Sequence, residues 1–454
     1  MNKAAPRQPQ STNAARLFTP EDLPVGRAEV ELSDPPARIE LTNGLIDASK
    51  IMVLIRLHTR PIGVVVLDGT LGRRWSTHLP TVLEELGSAI EIHLIEDGLP
   101  DLAAASVAAL GAETPSCLLV REEVLDAPPL ISVVVATRER PETLRDCLNS
   151  LLGMRYPRHA FEIIVVDNAP ETDITSEMIA REFLGQVRYL REDRRGLSSA
   201  HNRGLDVARG EIIAFVDDDV IVDRHWLAAI AEGFATHDAV GAVTGLILPA
   251  ELETPAQLLL EQHGGFGKGF DTRVFDMDQN RPADPLFPFT AGKLGSGANM
   301  AFRTALLRSF GGFDCAIGTG THAKGGDDLA ALFRVVIGHR VVYEPAAIVW
   351  HRHHRDLTAL RNQAYGYGVG LGAYLTSVLV HEPRMWIELL RRLPAGLRYE
   401  FDSGSGRNQG RYDGWPSDFS TLERRGLLSG PMAYAVSRWR TCRAVHEDQN
   451  PCPR

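Results

Sequence analysis

Three consecutive carboxylates, Asp217, Asp218 and Asp219, end an uninterrupted apolar run, Ile212 to Val216, and apolar residues resume directly after them. A run of β-branched and aromatic residues of this length reads as a buried strand, so the acids stand at its carboxyl end. That is where open α/β sheets bind ligands. Adjacent carboxylates repel one another and lose hydration beside a core, which calls for a cation to offset the cost. A divalent metal bound to a phosphate answers that need; a solvated acidic turn is the plainer alternative. An EF-hand loop does not fit, because its glycine and closing glutamate are missing at the required offsets. A second acidic pair, Asp327 and Asp328, follows Gly325 and Gly326 and opens a helix, whose N-terminal dipole favours anions. Helix capping explains that pair as well. His351 and His353 share a face if the strand before them continues; a solvated basic turn is the alternative.

The elements that must position these residues alternate. Leu130 to Ala136 is a continuous apolar strand, Pro141 to Leu152 a helix with proline in its first turn, and Glu162 to Val166 a second strand. A helix over Thr175 to Phe183, a short strand over Val187 to Leu190 and a helix over Ser198 to Ala208 precede the Asp-tipped strand. Such alternation predicts α/β architecture with a largely parallel sheet. Gly264 to Gly297 is a long Gly/Pro/Phe-rich segment of the kind that is usually functional. Leu306 to Phe310 closes a short helix, Asp327 to Val336 is a longer one, and Arg340 to Tyr343 and Ala347 to Trp350 are strand-like. Gly264 to Gly269 and Gly366 to Gly372 lack the spacing of phosphate loops, and they read as loop flexibility and close helix packing.

Outside this region, residues 1–27 read as a disordered polar tail and 28–121 as a small α+β module. The module has strands at Arg38 to Leu41, Ile51 to Leu57 and Gly63 to Leu67, a helix at Leu79 to Leu86 and a strand at Ile90 to Ile95. The second and third strands form a hairpin through His58 to Pro61. His58, His78 and His93 read as unpaired structural residues. Glu122 to Pro129 reads as a linker to a domain over 130–355. Residues 356–454 read as a helical extension with an amphipathic part at Trp386 to Leu393, a polar linker at Phe401 to Phe419 and a last helix near Met432 to Arg440.

With 454 residues there is room for two or three domains. The 44% hydrophobic and 23% charged fractions are ordinary for a globular protein. A net charge of −10 argues against a general nucleic-acid binder. Five scattered cysteines without a CxxC pair suit free thiols in a reducing, cytoplasmic setting. No stretch has the length and apolarity of a membrane span; docking on the inner face of a membrane stays open.

Taken in order, ISVVVATRERPETLRDCLNSLL, EIIVVDNAP and RRGLSSAHNRGLDVARGEIIAFVDDDV resemble the nucleotide-sugar half of family 2 glycosyltransferases, inverting enzymes of the GT-A fold. The likeness continues through GANMAFRTALLRSFGGFD, GGDDLAALFRVV and YEPAAIVWHRHHR, over roughly residues 130–355. It implies a Rossmann-like mixed sheet flanked by helices and transfer of a sugar from a nucleoside-diphosphate sugar to a hydroxyl acceptor, glycan or lipid-linked, in cell-surface polysaccharide or glycolipid synthesis. By the same resemblance Thr137, Arg138, Glu139 and Asp167 hold the base and ribose, with Asn202, Asp217 and Asp218 also on the nucleotide side. Asp219, Asp217 and His351 hold Mn²⁺ or Mg²⁺. Asp328 is the general base and Asp327 binds an acceptor hydroxyl. The chain departs from the family at Ala330, where relatives often carry another acid. Two other classes compete: a sugar-nucleotide nucleotidyltransferase, which needs a glycine-rich turn where this chain has TRERPET, and a non-catalytic carbohydrate-binding protein, which has no need to keep both acidic clusters.

Overall fold

The structure is a computed structural model and describes residues 18–100, 114–263, 265–401 and 416–449. Its apolar runs form a nine-stranded mixed sheet. Three parallel strands, β4 (Ile131–Thr137), β5 (Phe161–Asn168) and β6 (Arg188–Glu192), continue on the other side of β4 into parallel β7 (Ile212–Asp217). Beyond β7 lie antiparallel β11 (Asn299–Arg303), then β9 (Val240–Pro249), β12 (Arg340–His351) and β10 (Arg273–Phe275). The short β8 (Val220–Val222) pairs with the end of β12. This mixed sheet with helices on both faces is the GT-A architecture that the resemblance implies.

Both faces of the sheet are covered, and the strand residues divide with period two. Val133, Val135, Ile163, Val165, Ala214 and Val216 pack with α3 (Pro141–Leu152), α4 (Ile174–Glu182) and α6 (Trp226–Ala235). Val134, Ile164, Val166, Ile213 and Phe215 pack toward α5 (Leu197–Val207) and α9 (Asp327–Val336). Fully buried parallel strands need apolar residues at every position, which is why these runs were legible.

Several expectations change at the ends of the chain. Residues 18–27 are ordered: Phe18 is buried, Val25 bridges to Leu252, and β1 (Gly26–Glu31) pairs parallel with β2 (Lys50–Leu57). The hairpin from β2 to β3 (Arg60–Asp68) turns at His58 and Thr59, both with positive φ. Arg38 makes only a single bridge, to Arg74. The strand expected at Ile90 to Ile95 is the last part of α1 (Trp75–Glu96). Its alternating Ile90, Ile92 and Leu94 imitate a strand, but the buried positions Trp75, His78, Val82, Leu86, Ile90 and Leu94 follow helical spacing. Most of the expected linker at Glu122 to Pro129 belongs to α2 (Ser116–Asp126), whose buried Arg121 pairs with Glu232 on α6.

The N-terminal sheet shares a core with the larger domain: Met52 and Leu54 join its cluster, while Val53, Ile55, Val65 and Leu67 face α1. Arg56 bonds Asp223 at 2.7 Å and Arg27 lies 4.4 Å over Trp350. At the other end α10 (Leu357–His381) packs on α12 (Ser417–Gln449), with α11 (Met385–Phe401) between them in sequence. Gly368 and Gly372 make the first contact possible, since a Cβ there would meet the backbone oxygens of Glu423 and Leu427. The expected tail at 1–17 and most of the polar linker, 402–415, lie outside the described residues. No described helix is long and apolar enough to cross a membrane.

Candidate functional site

The register of the parallel strands aligns Thr137 with Asp167 and Ala136 with Asp217, so three strands deliver polar side chains to one sheet edge. Beyond β7 the chain turns at Asp218 and Asp219 and crosses to β12, where Val220 pairs with His351. The crossing sets Asp217, Asp219 and His351 together, with one donor atom from each within 4.8 Å of the others. His351 Nε2 lies 3.4 Å from Asp219 Oδ1, and that buried oxygen accepts no hydrogen bond.

The protonation of His351 follows from its neighbours. His353 Nε2 lies 2.7 Å from the Glu261 carboxylate on α7 (Pro255–Gln262) and donates to it. The two Nδ1 atoms of His351 and His353 lie 2.9 Å apart, and with a neutral His353 ring the proton between them is on His351. The lone pair of His351 Nε2 is left facing Asp219. Burial lowers the His351 pKa to about 4, so the ring is neutral near pH 7. Two carboxylate oxygens and one neutral imidazole nitrogen are a fitting donor set for Mn²⁺ or Mg²⁺, the nitrogen favouring the softer Mn²⁺.

Arginine supplies part of the positive charge that the sequence demanded. Arg140 lies 3.3 Å from both Asp218 and Asp219 and is half exposed. Asp218 is buried, accepts from the Thr137 hydroxyl at 2.6 Å, and has its pKa raised to about 6 by burial and by Asp219. Burial also raises Asp217 well above the carboxylate range, with further repulsion from Asp219, Asp218, Asp327 and Asp328.

The second acidic pair lines the same cleft. Gly326 takes a left-handed backbone against α10, where a Cβ would meet the Gly370 carbonyl at 2.5 Å, and α9 begins directly after it. Asp328 Oδ2 accepts the Gly297 N–H at 2.9 Å and Oδ1 the Leu329 N–H at 2.8 Å. Its pKa is raised by burial, against the pull of those two donors and of Lys268. Asp327 is buried, and burial together with Asp328 lifts it to about 7. Its nearest ring, His201 at 3.7 Å, is buried and pushed down to about 3, so it offers no countercharge. Asp217, His351, Lys268, Asp327 and Asp328 line one cleft of about 550 Å³.

The remaining expected residues lie elsewhere along the edge. Asp167 is buried, with Oδ2 accepting from Tyr189 at 3.1 Å and Oδ1 left without a partner; burial raises its pKa to about 6. Arg138 and Glu139 brace the loop after β5. Arg138 donates to the Ala169 carbonyl and to Glu171, and Glu139 accepts from the Glu171 and Thr172 N–H groups and the Thr172 hydroxyl. Asn202 is turned away from the cleft: its amide oxygen accepts the Phe313 N–H at 2.8 Å and its nitrogen donates to the Phe313 carbonyl at 2.9 Å.

Sequence reasoning missed Arg140, Lys268 and Glu261. Arg140 stood in the same TRERPET turn as Thr137, and Lys268 in the GGFGKG stretch read only as flexible; Glu261 carried no local signal. The glycines of Gly366 to Gly372 do serve close packing, and Gly366 and Gly370 also line the cleft.

Residues 132–297 match the family described as "Glycosyl transferase family 2". A "Pre-mycofactocin glycosyltransferase" of Mycobacterium tuberculosis is 25% identical over 232 residues, 50% of this chain and 43% of that protein. A "Glucosyl-dolichyl phosphate glucuronosyltransferase" of Haloferax volcanii is 24% identical over 231 residues, 49% of this chain and 69% of that protein. The chain thus spans less than half the length of the mycobacterial relative. Among solved structures, a mannosyltransferase of Pyrobaculum calidifontis in complex with GDP-Man and Mn²⁺ overlaps 73% of this chain and 82% of its own at 19% identity and a TM-score of 0.40.

Proposed function

Since residues 132–297 match the glycosyl transferase family 2 model, we propose that this chain is a metal-dependent inverting glycosyltransferase, moving a sugar from a nucleoside-diphosphate sugar to a hydroxyl acceptor. The observation that carries the reading is the shared cleft: the carboxylate and imidazole donors of Asp217 and His351 and the acid pair Asp327 and Asp328 line the same walls.

In this reading Asp219, Asp217 and His351 hold Mn²⁺ or Mg²⁺, whose bound form stabilises as a Lewis acid the charge that collects on a departing diphosphate. His353 and Glu261 keep His351 in the tautomer that presents Nε2. Thr137 and Asp218 tie the ends of β4 and β7 and hold the turn that carries Asp219. The unpartnered Asp167 oxygen accepts from a base N–H or a ribose hydroxyl. Arg138 and Glu139 shape that end of the pocket through the loop they brace. Asn202 is left out of the nucleotide site, because both its polar atoms are engaged by Phe313.

On the acceptor side Asp328 takes the proton from the attacking hydroxyl. A sugar hydroxyl is a poor nucleophile, and a carboxylate within hydrogen-bond reach must remove its proton as the new bond forms. The Gly297 and Leu329 N–H groups fix the carboxylate, and Lys268 favours its ionised form. Asp327, proton-bearing near neutrality, donates to an acceptor oxygen. Direct attack of the acceptor hydroxyl on the sugar carbon, with Asp328 taking its proton as the diphosphate leaves, is a single displacement, hence inversion.

The acceptor is assigned only as a glycan or lipid-linked hydroxyl, a choice supported by a relative's dolichyl phosphate name. Incubation with UDP-, dTDP- and GDP-sugars plus Mn²⁺, with and without EDTA, tests the reading by nucleotide release. Chelator-sensitive release with one donor is expected; neither release nor metal-dependent binding with any donor contradicts it and leaves a carbohydrate-binding role.

A further inference from the structure

The N-terminal module brings together residues that the sequence scatters over 60 positions. His58 sits in the β2–β3 turn, His93 in the last turn of α1, Asp97 just past it, and Cys117 in the first turn of α2. One donor atom from each lies within 4.8 Å of all the others. We propose that these four side chains hold a zinc ion, distinct from the cation of the transfer site, which locks the module together.

The geometry supports this in three ways. Four ligands at about 2.0–2.3 Å in a tetrahedron stand about 3.3–3.8 Å apart. Here Asp97 Oδ2 is 3.0 Å from His58 Nδ1, 3.2 Å from His93 Nε2 and 3.0 Å from Cys117 Sγ, and the two ring nitrogens are 3.3 Å apart. These spacings need only a few tenths of an ångström of expansion.

The carboxylate is also oriented. Its other oxygen, Oδ1, accepts the Cys117 N–H at 2.9 Å and the Ser116 hydroxyl at 3.0 Å, which turns Oδ2 toward the cluster. Outer hydrogen bonds of this kind aim metal ligands. The turn is fixed as well, since Glu31 accepts the His58 and Thr59 N–H groups at 3.0 and 2.8 Å.

Hydrogen bonding alone leaves the cluster crowded. A carboxylate oxygen has two lone pairs, yet two imidazole nitrogens and a thiol converge on Oδ2. A thiolate, two imidazole nitrogens and a carboxylate oxygen form a borderline-soft tetrahedral set that suits zinc. On binding, the Cys117 thiol proton leaves to solvent, and the thiolate and carboxylate together neutralise the dication. The ion would join the turn, α1 and α2; from α2, Arg121 reaches both Thr59 and Glu232 of α6. The role is structural: these ligands hold the module against the transferase domain.

The test uses the full chain. Protein purified without added metal should carry about one zinc per chain. After exchange into Co²⁺ it should show a thiolate-to-cobalt charge-transfer band in the near ultraviolet. That band should persist in Cys147→Ser, whose thiol lies near Asp217, and in Asp219→Asn, and vanish in Cys117→Ser. A chelator should speed alkylation of Cys117, read by peptide mass, by about tenfold or more. The proposal is overturned by wild-type protein with no zinc, no band and alkylation indifferent to zinc or chelator, all of which can be read without any variant. Zinc bound equally by wild type and Cys117→Ser overturns it too.

Discussion

The two acidic groups at the cleft are of the same residue type and burial pushes both toward protonation, but their partners differ. Asp218 and Asp219 have Arg140 within 3.3 Å, and Asp219 faces the free lone pair of a neutral His351. Asp327 and Asp328 have no arginine in ion-pair reach among the described residues; they have two backbone N–H groups, the more distant Lys268, and burial. The first arrangement gathers negative charge around a place for a cation. The second has no arginine beside it, and burial leaves Asp327 holding a proton up to about pH 7. In the proposed mechanism environment, more than residue identity, divides the labour between metal and proton chemistry.

The largest effect that would break this contrast is on turnover. Asp219→Asn and Asp328→Asn should each lower kcat by about 10²–10⁴-fold, measured as nucleotide release. Only the Asp328 variant should keep the wild-type response to Mn²⁺ concentration. Next is pH. The base works deprotonated and Asp327 works protonated, so kcat should fall on the alkaline side as Asp327 loses its proton near 7 and on the acid side as Asp328 gains one. Asp327→Asn cannot ionise and should remove the alkaline limb; an unmoved alkaline limb would assign it to another group. Lys268→Met should lower kcat/KM by about tenfold and shift the acid limb upward, because Asp328 loses the cation that favours its ionised form. Smallest for function is Asn202→Ala. It should cost about 1–3 kcal/mol of stability by orphaning the Phe313 backbone groups, while nucleotide affinity changes by less than about twofold.

Strands β4, β5, β7 and β12 were readable because both their faces are buried and their residues are mostly apolar, whereas β8, β9, β10 and β11 were not read, three of them being short; the bounds of α3 and α9 were read to the residue, with a proline start and a Gly-Gly-Asp-Asp start. The ends were harder. Ile90, Ile92 and Leu94 alternate like a strand inside α1 because a long buried helix adds apolar residues beyond its own stripe. The parallel pairing of β1 and β2 depends on partners 25 positions apart and leaves no local pattern. Within the site, acids at strand and helix ends announced themselves. Glu261 and the convergence of His58 with His93 did not, since they arise only when α7, β12 and the N-terminal hairpin are folded into place.

The central claim is that one acidic group of the cleft binds a cation and the donor, while the other handles the proton of the acceptor. Calorimetric titration of a nucleoside diphosphate, with and without Mn²⁺, tests it most directly when wild type, Asp219→Asn and Asp328→Asn are compared. The account predicts Mn²⁺-dependent binding of similar affinity in wild type and Asp328→Asn, and its loss in Asp219→Asn. Undiminished Mn²⁺-dependent binding by Asp219→Asn would contradict it.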